Sequence, residues 1–101
     1  YVTYADDGQE VKKVAVCGGA GGDLVDLCLA KGVDTLVTGD IKYHTAQDAV
    51  FKGLNIIDAG HQATERIAME NLRTRLEDYF AKENKGVKLY VAKESLILKR
   101  V

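Results

Sequence analysis

A histidine and a glutamate four positions apart, His61 and Glu65, form the pair in this sequence best suited to bind a metal ion. Residues i and i+4 of a helix face the same way, so an imidazole nitrogen and up to two carboxylate oxygens would converge. A second interpretation fits the same spacing: Glu65 favours the positive end of a helix and His61 is a loop residue. The spacing therefore indicates a candidate metal site and leaves the helix-start interpretation open.

Two further polar residues, Asp40 and His44, follow an earlier apolar segment and are the candidate catalytic residues. Asp40 is placed to cap the next helix, to bind a metal-bound water, or to hold a histidine in one tautomer. His44 is a candidate proton carrier, and a solvated histidine at a helix start fits its position as well. Both histidines of the chain thus lie close to acidic residues in sequence.

The glycine-rich segment 18–22 follows the first apolar run and predicts a tight loop. It matches only the first part of the G-x-G-x-x-G dinucleotide motif, because Leu24 occupies the third glycine position, although an acidic residue, Asp40, follows at about the expected distance of 20 positions. No lysine follows the glycines, which excludes a Walker loop. Gly18, Gly19 and Gly21 are therefore candidates to line a backbone pocket for a phosphate or another anion.

Short apolar runs alternate with helical segments along the chain, which predicts an α/β fold: a mainly parallel βαβ sheet with helices packed on it, in a single domain over residues 1–101. Lys-Gly-apolar triplets at 31–33, 52–54 and 85–87 predict helix ends with a left-handed glycine. Asp7-Gly8 predicts a turn that joins the first weak strand to the strand that follows it. The predicted strands are 12–17, 34–38, 54–58 and 87–91, with weaker ones at 1–4 and 96–98, and the predicted helices are 23–31, beginning with Asp23 as cap, 44–52 and 63–83.

Sites in open parallel sheets form beyond the carboxyl ends of the strands, so the segments that follow the first three strands are expected to share one pocket. On the last helix, a helical period aligns six apolar residues into one stripe, which predicts a core-facing surface. Extending that stripe backwards places Glu65 and His61 on the buried side. The stripe consists of Ala68, Met69, Leu72, Leu76, Tyr79 and Phe80.

The composition limits the classes of protein to consider. In 101 residues, 14 Lys and Arg balance 15 Asp and Glu, which excludes a strongly basic nucleic-acid module and a polybasic membrane anchor. With 47% hydrophobic and 29% charged residues, the chain is not typical of a disordered protein. Cys17 and Cys28 form no C-x-x-C pair, which indicates buried thiols in a reducing compartment.

Three ordered motifs closely resemble the carboxyl-terminal part of the NIF-three-like family, whose members are often called GTP cyclohydrolase 1 type 2 homologues. They are VAVCGGAG at 14–21, TGDIKYH at 38–44 and DAGHQATE at 58–65. Their order and separations make the resemblance specific, and it covers nearly the whole chain from about Val11 onward.

The resemblance implies a cytoplasmic protein that assembles as a toroidal hexamer around dinuclear sites for divalent metal, such as zinc, iron or manganese. It assigns His61 and Glu65 as ligands and places the others, a His-His pair and an aspartate, in an amino-terminal part that this sequence does not match. The chain is then expected to be a fragment, inactive alone, of a metal-dependent hydrolase that partners with that amino-terminal part. A non-enzymatic metal-binding scaffold or interaction module, and a nucleotide-binding half-domain based on the glycine segment, are the alternative functions.

Overall fold

A computed structural model describes residues 2–93 and 95. Its strands and helices, in chain order, are β1 (Thr3–Ala5), β2 (Val14–Ala20), α1 (Val25–Ala30), β3 (Thr35–Gly39), α2 (Tyr43–Phe51), β4 (Asn55–Asp58) and α3 (His61–Lys82). Within these residues, no helix is long and apolar enough to cross a membrane. The predicted strand at 96–98 lies outside the described residues.

The four strands form one sheet in the order β1-β4-β3-β2, which confirms the predicted α/β fold with a mainly parallel sheet. β2 pairs parallel with β3, and β3 pairs parallel with β4. β1 pairs antiparallel with β4, so Asp7-Gly8 lies in the connection from β1 to β2 without making the two strands a paired hairpin. The edge of β4 was available to β1, and a turn signal such as Asp7-Gly8 does not specify which strand receives the chain.

The hydrophobic core lies against one face of this sheet, because Leu36 of β3 and Ile56 of β4 are register partners and point to the same side. Leu36 is fully buried. Val25 and Cys28 of α1 pack into the same cluster, so the structural interpretation of Cys28 fits its position. The buried members of the cluster are Val25, Cys28, Leu36, Ala49, Leu54 and Ile56.

The glycine segment after the first apolar run is extended strand for longer than predicted. β2 continues to Ala20, and its register with β3 shifts, since the four residues after Val16 match the two residues after Val37. A short 3-10 turn at Gly22–Leu24 then leads into α1, and Leu24 rather than Asp23 is the residue at the amino end of α1, with no side-chain cap. The predicted loop is therefore wrong, because the glycines of β2 tolerate a bulge and the strand stays paired beyond it. The predicted Asp23 cap is wrong as well.

Three helices end in the same hydrogen-bond pattern, in which a left-handed residue follows the last turn. Gly32 (φ +64°) and Gly53 (φ +86°) fill this position after α1 and α2, as predicted. After α3 it is Asn84 (φ +52°), whose N–H donates to Ala81 O at 3.1 Å, while Lys85 N–H donates to Phe80 O at 2.9 Å. The predicted cap at Gly86 is wrong because asparagine also tolerates the left-handed conformation and comes first.

The chain divides into two compact units, residues 1–66 and residues 67–101. In the second unit, α3 carries no buried residue among those described, so the predicted core-facing stripe is wrong. Met69, Leu72 and Tyr79 are exposed, and Leu76 and Phe80 are half-buried. Residues 87–91 form no strand, because an apolar run becomes a strand only where a sheet edge pairs with it.

Candidate metal site

The carboxyl ends of β3 and β4 bring Asp40 and His61 together. His61 begins α3 after β4, and its Nδ1 lies 2.7 Å from Oδ2 of Asp40, which follows β3. On the other side of the ring, Nε2 of His61 lies 3.3 Å from Oε1 of Glu65, one helical turn along α3. Each nitrogen of the imidazole therefore faces a carboxylate.

The end of β2 contributes a close backbone approach to the same pair. A Cβ atom on Gly19 would lie 2.6 Å from Glu65 Oε1 and 3.3 Å from His61 Nε2, so only glycine leaves this space open. Gly19 also has a φ of +74°, which side-chain-bearing residues rarely adopt. The three strand ends thus converge as the sequence predicted, and the glycine leaves room beside the histidine and the glutamate.

His61 and Glu65 are more accessible than the predicted buried side would make them. Their side chains are 43% and 58% exposed, because the first turn of α3 lies at the open edge of the sheet. The hydrogen bond to Asp40, followed by the negative charge of Glu65, raises the pKa of His61 above its ordinary value. The protonated ring is stabilised between the two carboxylates, so a proton competes with any metal ion for Nε2.

Of the three interpretations left open for Asp40, its position fits the holding of a histidine. α2 begins after Lys42, and no side chain caps it, so Asp40 is not a helix cap. Instead its carboxylate meets His61 Nδ1, and a carboxylate can only accept there. In the neutral ring, the shorter contact on Nδ1 favours a proton on that nitrogen and leaves the Nε2 lone pair directed toward Glu65.

His44 is not brought into this group. It lies in the first turn of α2, is solvent-exposed and packs its ring edge-to-face on Tyr43 with centroids 5.8 Å apart. No hydrogen bond or ion pair joins it to His61 or Asp40 in the part of the chain that the structure describes. Its role as a proton carrier stays a prediction.

Two of the glycine amides in the candidate anion pocket already have partners inside the protein. Gly19 N–H donates to Thr64 Oγ1 at 2.9 Å, and Gly21 N–H donates to Thr38 Oγ1 at 2.8 Å. Thr38 is fully buried and its hydroxyl donates in turn to Gly19 O at 3.1 Å. The anion pocket at Gly18, Gly19 and Gly21 stays a prediction. In the structure, the Gly19 and Gly21 amides instead connect the end of β2 to α3 and to β3.

Three side chains that support the site were not singled out from the sequence: Thr38, Asp58 and Thr64. Thr64 accepts from Gly19 N–H and donates to Gly60 O at 2.9 Å, so it ties the first turn of α3 to β2. All three accept hydrogen bonds from backbone N–H groups, and a sequence does not show which backbone groups will lie nearby. The only available signal was their place within the strand-end segments.

The donor set fits part of a metal site. Two ligands bound about 2.0–2.1 Å from a tetrahedral ion lie about 3.3 Å apart, which is the spacing of His61 Nε2 and Glu65 Oε1. Across residues 2–93 and 95, no group of three or more His, Cys, Asp or Glu side chains is arranged to hold a metal. The described residues therefore offer two ligands and leave the remaining positions to water or to other groups.

Comparisons with known proteins extend this picture. The family model for Duf34/NIF3 (NGG1p interacting factor 3) matches residues 1–95. The protein named GTP cyclohydrolase 1 type 2 homolog is 42% identical in Bacillus subtilis over 81% of this chain, and 45% identical in Streptococcus pneumoniae over 84% of it. This chain spans only 22% and 32% of the lengths of those two relatives.

Solved structures agree with the sequence matches. A Bacillus cereus protein related to NIF3 is 30% identical with a TM-score of 0.88, covering 100% of this chain and 28% of its own. A Staphylococcus aureus protein has the same identity and TM-score, covering 100% of this chain and 33% of its own. The motifs, the fold and these matches together place the chain in the DUF34/NIF3 family.

Proposed function

We propose that this chain supplies one half of a divalent-metal centre, with His61 and Glu65 as its ligands, in a metal-dependent hydrolase of the GTP cyclohydrolase 1 type 2 class. The observation that carries the proposal is the 3.3 Å spacing of His61 Nε2 and Glu65 Oε1 beside Gly19, which has no side chain to fill the space. This chain spans only 22% and 32% of the lengths of two relatives, so residues from another part of the protein would complete the centre. The two ions, of zinc, iron or manganese, are what the family resemblance implies.

His61 and Glu65 would hold the ion, and Asp40 would hold the His61 ring by accepting its Nδ1–H. When bound, a divalent ion supplies Lewis-acid chemistry and lowers the pKa of water in its shell. The role of this chain is to present the Nε2 lone pair in a fixed direction, with Glu65 one helical turn away. Because the other ligands would come from another part of the protein, the chain alone is expected to bind metal weakly and to hydrolyse nothing.

A second candidate, a metal-binding interaction module without catalysis, is favoured by the exposed apolar residues of α3. Met69, Leu72 and Tyr79 are all large and exposed. Large exposed apolar surface is typical of a place where another chain packs. GTP turnover by the protein after the amino-terminal part is added would support the hydrolase, whereas metal binding without turnover would support the module.

The experiment that tests the ligand assignment is calorimetric titration of the chain with zinc at neutral pH. We expect weak binding that His61→Ala and Glu65→Ala abolish, since each removes one of two ligands. His44→Ala is the matched control, because it removes the other histidine of the chain and should leave the binding unchanged.

Two outcomes would contradict the proposal. Equal zinc binding by the wild type and His61→Ala would show that His61 is not a ligand. A stoichiometric, submicromolar site in the wild type would show that this chain builds a complete centre and that the half-site assignment is wrong.

A further inference from the structure

The carboxylate of Asp58, at the last position of β4, connects the two loops that carry Asp40 and His61. Its Oδ2 accepts the N–H of Ile41 at 3.0 Å, and its Oδ1 accepts the N–H of Gly60 at 2.9 Å. Ile41 directly follows Asp40, and Gly60 directly precedes His61. One half-buried side chain therefore fixes the backbone next to both members of the Asp40–His61 hydrogen bond.

Both loops contain a residue in the left-handed region. Asp40 has a φ of +53°, which aspartate tolerates better than most residues with a Cβ atom but still at some cost, and Gly60 has a φ of +88°, which glycine adopts freely. The loops also touch, because a Cβ atom on Gly39 would lie 2.6 Å from the carbonyl carbon of Gly60. A backbone held this closely keeps its unusual dihedral angles only when surrounding contacts determine them.

We propose that Asp58 is a positioning residue that sets the tautomer of His61. By holding the Ile41 and Gly60 amides, it keeps the Asp40 carboxylate at 2.7 Å from Nδ1 and so keeps the proton of the neutral ring on that nitrogen. The Nε2 lone pair then points toward Glu65. The structural part stands on the hydrogen bonds alone, and its consequence for metal affinity rests on the function proposed above.

The test measures the His61 tautomer by nitrogen-15 NMR in the metal-free chain, at a pH where the ring is neutral. Wild type should hold the proton predominantly on Nδ1. Asp58→Asn keeps the shape of the side chain, but its amide nitrogen cannot accept an N–H, so one of the two bridges is lost. The variant should therefore shift toward a mixture of both tautomers, and an unshifted ratio would overturn the proposal.

Asp34→Asn is the matched control. Asp34 lies before β3, at the opposite end of the sheet, and its Oδ2 also accepts two backbone amides, from Lys12 at 2.8 Å and Lys13 at 2.6 Å. In Asp34→Asn the amide oxygen can keep both backbone amides, but the amide nitrogen cannot accept the Thr35 hydroxyl, which Asp34 Oδ1 accepts at 2.8 Å. The same substitution thus removes one hydrogen bond without approaching the site, so the His61 tautomer should not change. An equal tautomer shift in both variants would show a general loosening of the fold and would also overturn the proposal.

A measurement on the wild type decides the matter if Asp58→Asn does not fold. The amide protons of Ile41 and Gly60 should exchange slowly with solvent, because the carboxylate holds both. Rapid exchange at either position would overturn the proposal without any variant.

Zinc titration, followed through the His61 NMR signals, separates this inference from the proposed function. Asp58→Asn should lower zinc affinity by roughly tenfold, the smaller end of the loss typical for groups behind a metal ligand. A tautomer shift in a chain whose zinc binding is unchanged by His61→Ala would leave the positioning role intact and reject the metal function. An unchanged tautomer in Asp58→Asn, together with zinc binding that His61→Ala abolishes, would reject the positioning role and leave the metal function intact.

Discussion

The two compact units of the chain differ in what happens to their apolar side chains. In residues 1–66, Leu36 and Leu54 are 0% exposed. In the second unit, Leu72 and Tyr79 of α3 are 49% and 53% exposed. The sheet buries side chains because α1 and α2 pack on its paired strands. A helix, in contrast, buries its apolar stripe only against another element.

Substitution of one leucine in each unit should give the largest difference between them. Leu36→Ala removes a fully buried side chain and should lower the free energy of unfolding by about 2–5 kcal/mol. Leu72→Ala removes a half-exposed one and should cost under about 1 kcal/mol. Urea denaturation followed by circular dichroism measures both.

Equal losses in the two leucine variants would break the comparison, because they would mean that the stripe of α3 is covered in solution. Repeating the Leu72→Ala measurement over a range of protein concentrations then identifies the cover. A cost that grows with concentration indicates a second copy of the chain.

Two glycines provide the next contrast. An added Cβ at Gly39 would collide with the backbone nitrogen of His61, whereas one at Gly86 would meet open space. Gly39→Ala should therefore cost about 1–3 kcal/mol of unfolding free energy. Gly86→Ala, the control, should be neutral or stabilising by up to about 1 kcal/mol, since alanine restricts the unfolded chain. A harmless Gly39→Ala would show that the β3 and β4 loops do not touch.

How far the sequence predicts this fold depends on whether a feature is local. The strands β3 and β4, the helices and the glycine ends at Gly32 and Gly53 follow from periodicity and helix-end signals, and all are found. The pairing of β1 does not, because a three-residue strand carries too little pattern to select an edge. The stripe of α3 has a helical period, but period alone does not supply the surface that would bury it.

The candidate site divides in the same way. The His61–Glu65 pair follows from i, i+4 spacing. The contact of Asp40 with His61 does not, because the sequence left three roles open for an aspartate at that strand end. The supports Asp58 and Thr64 could not be found from sequence, because their partners are the backbone groups of Ile41, Gly60 and Gly19. Those contacts exist only after the bulge in β2 and the left-handed residue at Asp40 bring the loops together.

The smallest expected effect is a pH dependence that arises in residues 1–66 and not in the part of α3 that follows them. Asp40 and then Glu65 raise the pKa of His61 above its ordinary 6.5, so the folded state binds this proton more tightly than the unfolded state. The resulting stabilisation is fully present below the ordinary pKa and is lost as pH rises through the raised one. On α3, Arg73 bonds Glu70 at 3.1 Å and Glu77 at 2.8 Å, and its guanidinium stays charged throughout that window.

Urea midpoints measured across this window should therefore fall slightly with rising pH in the wild type. Asp40→Asn should flatten the slope, because it removes the leading cause of the raised His61 pKa. Arg73→Gln, the matched change on α3, should lower every midpoint alike and preserve the slope. Zinc binding by the wild type should strengthen over the same rise in pH, since the ion needs the neutral imidazole. Because Glu65 still raises the His61 pKa, a smaller slope should remain in Asp40→Asn. A slope as steep as in the wild type would mean that the 2.7 Å contact between Asp40 and His61 does not form in solution, and the orientation of the ligand would then have to come from Glu65 alone.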